Sequence, residues 1–221
     1  MNLPFTTDQF LEVFRQYNQS VFPMQIVLLL TAVLSVYLAI KKKPYSNKFI
    51  SLILAFYWLW MGIVYHLINF TSINKAAYLF GFLYIVQGIL FLYMGLYKQS
   101  LSFSYIPNTY GLLGSLVILY ALIIYPIIGH LSGHAYPYSP TFGLPCPTTI
   151  FTFGILLWSD KRVPLTILII PFLWSIVGFT AALSLGIYGD IGLLVAGLVA
   201  VLSIVVRNGN LGNKKGAEKH L

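Results

Sequence analysis

The stretch PLTILIIPFLWSIVGFTAALSL, residues 164–185, carries no charged side chain from end to end. A helix rises 1.5 Å per residue, so a run of about 20 apolar residues matches the roughly 30 Å hydrocarbon core of a bilayer. The run reads as a membrane span, and the chain offers six more like it, near 23–40, 49–69, 76–97, 110–129, 147–158 and 191–206. Short segments join them, with no linker long enough to separate domains. The expectation is one all-α transmembrane domain over 1–221, a polytopic helical bundle of about seven spans.

Composition agrees. Charged residues make up 8% of the 221 and apolar ones 58%, where a soluble chain carries about 25% charged residues. Seven long apolar runs cannot all hide inside a core built from so short a chain, so lipid must cover the rest. The net charge of +8 comes from lysines and arginines in short runs between apolar segments. That pattern points to topology and anionic lipid headgroups, with no nucleic-acid partner. Cys146 is the single cysteine, so no intramolecular disulfide forms. The N-terminus lacks the basic region and cleavage site of a secretory signal, so the first helix is expected to be retained.

Positively charged loops resist translocation, and the count decides the orientation. With the N-terminus outside and seven spans, one face receives Lys41, Lys42, Lys43, Lys48, Lys98, Lys161, Arg162, Arg207, Lys214, Lys215 and Lys219, and the other only Arg15 and Lys75. If the short fifth segment did not cross, five would lie inside and eight outside. The charge count therefore favours the crossing, with the basic tail 207–221 cytoplasmic.

Ahead of the first span, Phe10, Val13, Phe14 and Tyr17 fall on one helical face of the segment 6–17. Thr6 followed by Gln9 has capping-box spacing, and Asp8 and Glu12 suit the first turns. This reads as an amphipathic helix lying on the outer membrane surface. In the third span Gly81, Gly88 and Gly95 repeat every seven residues, a seam for close approach of a neighbouring helix or of an oligomeric partner. Gln87 beside it calls for an interhelical hydrogen bond.

Costly polar groups gather at the outer end. His66 and Asn69 share a face at the end of the second span, His130 and His134 follow the fourth, Cys146 precedes the fifth, and Asp190 sits in the last outer turn. No span interior is expected to contain an acid or a base. His66, His130 and His134 are candidate ligands for a divalent transition metal, against a reading as ordinary hydrogen-bonded interface histidines.

The most unusual stretch is 139–154, SPTFGLPCPTTIFTFG. Prolines at 140, 145 and 147 forbid a regular helix ahead of Cys146, while Pro147 suits a first helical position. A helix over 147–158 is about 18 Å long, too short to cross alone. The outer part of this crossing should then be extended chain dipping into the bundle, which lipid tolerates only where protein or a wet cavity surrounds it. Cys146, Thr148 and Thr152 are the candidate lining of a pocket beneath the helix N-terminus, with His66 and Asn69 alongside. The alternative is that the prolines end a loop and the threonines bond back to their own helix.

The segments NLPFTTDQF at 2–10, WMGIVYH at 60–66, AAYLFG at 76–81 and the Pro-Cys-Pro-Thr-Thr motif resemble a family of bacterial multi-pass membrane proteins of unknown function. The resemblance runs over most of the chain and implies a helical bundle in the bacterial inner membrane, with no activity to carry over to any residue. The leading expectation is a permease or binding protein for a small solute, an anion among the options, with an outward-facing pocket. The alternatives are a membrane enzyme or metal-handling factor using the outer histidines and Cys146, and an accessory subunit of a membrane complex.

Overall fold

The structure, a computed structural model, describes residues 4–217. Asn2 and Leu3 of the quoted motif and Lys219 of the basic tail lie outside them, and of Lys214 and Lys215 only the backbone is described. Among the described residues six helices are long and apolar enough to cross a membrane: α2 (Met24–Lys41), α3 (Ser46–Ser72), α4 (Ala77–Tyr97), α5 (Thr109–Leu131), α7 (Thr166–Leu185) and α8 (Tyr188–Leu211, with backbone helical on to Ala217). A shorter apolar helix, α6 (Pro145–Leu157), lies between α5 and α7. Before them comes α1 (Thr7–Ser20). The chain is a multi-pass membrane protein whose helix count matches the seven expected runs.

Its outside is apolar, as lipid requires. Leu30, Phe82, Leu112, Leu183 and Leu202, on five different helices, are each 60–63% exposed. In water such a surface would drive aggregation.

The first helix forms as its sequence dictates. The Thr6 hydroxyl accepts from the Gln9 amide at 3.2 Å, and the Gln9 side chain accepts from the Thr6 amide at 2.9 Å. Two otherwise orphaned donors are thereby satisfied. The helix buries Val13, Phe14, Tyr17 and Asn18. Its C-terminal half is fastened by polar contacts: Asn18 Nδ2 donates to the carbonyls of Pro137 (2.7 Å) and Ser139 (2.8 Å), and Tyr17 donates to the Gly143 carbonyl at 3.2 Å. The N-terminal half is held by apolar contacts, with Val13 buried and Phe10, together with Phe5 just ahead of the helix, packing on Phe70.

At the centre of the bundle stands α6. Every residue from Pro145 to Leu157 except Cys146 is buried, with α5, α7 and α8 packed around it. Thirteen residues rise only about 20 Å. A helix enclosed by longer ones can be that short, because protein covers both its ends. The chain leading into it is buried too: Pro140, Gly143 and Leu144 are covered, and Gly143 adopts φ +101° with Leu28 pressed against it. A Cβ there would be strained by the backbone and would collide with Leu28.

The glycine seam of α4 is used within the chain. A Cβ on Gly81 would meet Leu67, one on Gly88 would meet Leu59, and one on Gly95 would meet Ser51, all on α3. Gln87, as expected, bonds across helices, its Nε2 donating to the Ile167 carbonyl at 2.9 Å. That carbonyl is free because Pro171, four residues on and inside α7, has no N–H to offer it. One side chain of α4 repairs the ladder that a proline of α7 breaks.

Candidate functional site

Between the N-terminal half of α1 and the interior ends of α3, α6, α7 and α8 lies a cavity of about 180 Å³. Phe5, Phe10 and Phe14 roof it, Tyr65, Phe70, Phe80 and Trp174 form an aromatic wall, and Asn74, Tyr125, Cys146, Thr180 and Asp190 are among its polar lining residues.

Asp190 is the unusual member. It is 6% exposed, and Tyr125 donates its hydroxyl proton to Oδ1 at 2.5 Å. The Cys146 thiol lies beside the same carboxyl and beside the Trp174 indole. Ion pairs among the described residues join Arg15 to Glu12 and Lys42 to Asp160, so none reaches Asp190. A buried carboxylate with no basic partner is costly in a bilayer and is a pointer to function.

The expected site residues part company here. Cys146 lines the cavity. Thr148 and Thr152 are fully buried and bonded inward: Thr148 Oγ1 accepts from the Gly143 amide at 2.9 Å, and Thr152 Oγ1 donates to the Thr148 carbonyl at 2.9 Å while accepting from Trp58 Nε1 at 3.2 Å. Asn69 donates to the Val64 carbonyl at 2.7 Å. The N-terminus of α6 also has less to give an anion than an ordinary helix end. Pro145 and Pro147 have no amide hydrogen, and the Thr148 amide is taken by Leu144 at 3.3 Å.

The three histidines do not form one group. His66 is fully buried behind the aromatic wall, its ring centroid 5.1 Å from those of Tyr65 and Trp174. His130 and His134 border a separate depression of about 130 Å³ with Tyr136 and Ser139. Among the described residues no three His, Cys, Asp or Glu side chains are grouped so as to hold a metal ion.

His66, Asp190 and Arg207, toward the ends of their spans, are buried in protein, at 0%, 6% and 7% exposed. Asp190 and Arg207 stand near helix ends in the sequence, yet those ends are covered by neighbouring segments. Arg207 donates from Nη1 to the carbonyls of Leu157 (2.8 Å) and Ser159 (2.9 Å) and from Nη2 to that of Leu156 (3.4 Å). It caps the C-terminus of α6. Tyr125 and Trp174 were not singled out from the sequence, since an aromatic residue in an apolar run carries no signal of what it faces.

No curated protein and no solved structure matches the chain. A family described as "Family of unknown function (DUF6064)" matches residues 7–215, nearly the whole bundle including every cavity residue from Phe10 onward, and the chain belongs to that family.

Proposed function

We propose that this protein binds a small, largely apolar molecule bearing a cationic ammonium group, in the cavity beneath α1. The observation that carries the proposal is Asp190, a buried carboxylate without a basic partner at the edge of an aromatic-walled cavity. An ammonium would supply the missing counter-charge, and the faces of Trp174, Tyr65 and Phe70 would favour it further through their ring quadrupoles. A cation suits this site better than an anion, because α6 begins with prolines in place of free amides.

Binding is favoured over conduction by the packing below the cavity. Ile150, Phe151, Phe153, Ile155 and Leu156 are each fully buried, so the middle of the bundle is closed around α6. The roof is the natural entrance, since the N-terminal half of α1 closes it with apolar contacts. We also propose that α1 faces outward across the bacterial inner membrane with the lysine-rich end cytoplasmic, on the charge count.

The binding test uses purified protein in nanodiscs and compares hexylammonium, hexanol and hexanoate, which share length and differ in charge. Hexylammonium should raise the unfolding temperature most, and Asp190→Asn should weaken its binding at least tenfold, about 1.4 kcal/mol or more. Equal responses to all three probes, or an undiminished response in the variant, would refute the proposal.

A further inference from the structure

The side chains around Asp190 in the cavity share one property: they are donors. Tyr125 turns its O–H to Oδ1 at 2.5 Å, and the Cys146 thiol faces the same carboxyl. The Trp174 indole stands at the sulfur, and a Cβ on Gly178 would touch both, 3.6 Å from Cys146 Sγ and 3.7 Å from Trp174 Nε1. So α5, α6 and α7 each bring a donor to this side of the cavity, and α8 brings the carboxylate.

Acceptors are fewer. A thiol sulfur is a weak one and an indole nitrogen none at all. Of the polar residues elsewhere on the lining, Asn74 already accepts at Oδ1 from the Ala76 amide at 3.0 Å, and Thr180 lies on the exposed face of α7. Among the side chains beside the acid, that leaves the carboxylate itself and the Tyr125 oxygen to receive from a ligand. The three N–H bonds of a primary ammonium spread tetrahedrally, so this pair meets two of them at most. The third would be buried against rings, at the full cost of its desolvation. Those rings come from four helices: Tyr65 and Phe70 stack at 5.5 Å, Phe80 meets Trp174 edge-to-face at 5.4 Å, and Phe14 is 6.3 Å from Tyr65. Methyl groups on a cationic nitrogen share its charge and suit such a wall, as in aromatic cages for quaternary ammonium ligands.

We infer that the ligand of this cavity is a tertiary or quaternary ammonium compound, with its N-alkyl groups against the aromatic wall and its charge toward Asp190. The inference rests on the cation reading proposed above and narrows it. A tertiary ammonium directs its single N–H at the carboxylate. A quaternary one has no N–H to satisfy, and Asp190 keeps the bonds it already accepts from Tyr125 and Cys146.

The test titrates the protein in phosphatidylglycerol nanodiscs with hexylammonium and its N-methyl, N,N-dimethyl and N,N,N-trimethyl derivatives, subtracting binding to empty nanodiscs. Affinity should rise along the series, the dimethyl and trimethyl probes binding about tenfold or more tighter than hexylammonium, and Asp190→Asn should weaken all four. If hexylammonium binds as tightly as the others or more so, and Asp190→Asn still weakens it, this inference is overturned and the cation reading stands. If Asp190→Asn changes none of the four, both fall. Cys146→Ser separates hydrogen bonding from added apolar area. A hydroxyl oxygen accepts better than a thiol, so the variant should bind hexylammonium more tightly and narrow the gap about threefold or more. An unchanged gap means a preference for apolar bulk and overturns the inference. Repeating the titration in phosphatidylcholine nanodiscs identifies the source of the ammonium: trimethyl binding that is competed away there assigns the site to a lipid headgroup, and binding that persists assigns it to a free solute.

Discussion

The two ends of α6 meet the same difficulty in different ways. Both are buried in protein, and a helix end shielded from water must find partners for the groups its own ladder leaves free. At the C-terminus an arginine supplies them: Arg207 binds the carbonyls of Leu156, Leu157 and Ser159, and the Ser104 amide takes that of Trp158 at 2.7 Å. At the N-terminus two prolines remove donors instead of pairing them. Both ends border a hollow: at the first, a depression of about 270 Å³ lined by Leu157, Trp158, Ser159 and Arg207, the arginine is engaged by carbonyls, and at the second the Asp190 carboxylate has no counter-charge. Charge at one end is spent on structure, whereas the carboxylate at the other is the group for which we propose a ligand.

Removing each charge in turn tests this contrast. Arg207→Ala should have the largest effect, because three carbonyls lose a charged donor at once, and we expect a loss of about 3–5 kcal/mol. Denaturant unfolding in detergent measures it. Arg207→Lys should recover only part, since an ammonium cannot reproduce the planar fork. A fully stable Arg207→Ala protein would break the comparison.

Asp190→Asn should behave in the opposite sense. Without ligand it should leave the protein as stable as before or more so, by up to about 2 kcal/mol, because a buried unpaired charge is replaced by a neutral group that still accepts from Tyr125. The same unfolding experiment decides, and a loss comparable to that of Arg207→Ala would make Asp190 structural.

The smallest effect lies at the lysine-rich end, where Lys42 donates to Ser102, to the Phe103 carbonyl and to Asp160, each at 3.0 Å. Partial burial alone would raise the Asp160 carboxyl, but hydrogen bonds from Ser102 and Lys42 outweigh it and hold the group below its usual range. A depressed carboxylate contributes stability above its ordinary titration range, and that contribution is lost as the pH falls through the lowered value. Acidification below about pH 4 should therefore weaken the wild type more than Asp160→Asn, by under about 1 kcal/mol given the exposure of the pair. Parallel acid-unfolding curves for the two proteins would remove this contribution. The exposed Glu12, drawn down to about 2 by the hydrogen bond from Arg15, should matter less.

Much of the bundle was legible because membrane spans are written locally. The 164–185 run appears as α7 (Thr166–Leu185), and the 76–97 run as α4 (Ala77–Tyr97). Thr6 and Gln9 sit close enough in sequence to announce their own reciprocal bonds. Gln87 could be assigned an interhelical partner without knowing which, since an amide in that setting has to find one. The candidate site was legible only in part. Cys146 was marked by its prolines, but Thr148 and Thr152 turned out to be bonded within the packing of α6, as threonines on a buried helix commonly are. His66 was placed with His130 and His134 because all three lie toward helix ends. The fold instead separates them, putting His66 behind an aromatic wall and the other two around a depression near Tyr136.

The sequence by itself determined that this chain crosses a bilayer, roughly where it does so, and that an amphipathic helix precedes the first crossing. These are properties of single segments, set by side-chain transfer to lipid and by contacts three or four residues apart. Only the tertiary structure decided that the shortest helix is the most enclosed, that the glycine seam of α4 receives α3, and that Asp190, Tyr125 and Cys146 meet at one cavity. Each depends on which faces of different helices come together, and apolar helices that look alike to lipid carry no local record of their neighbours.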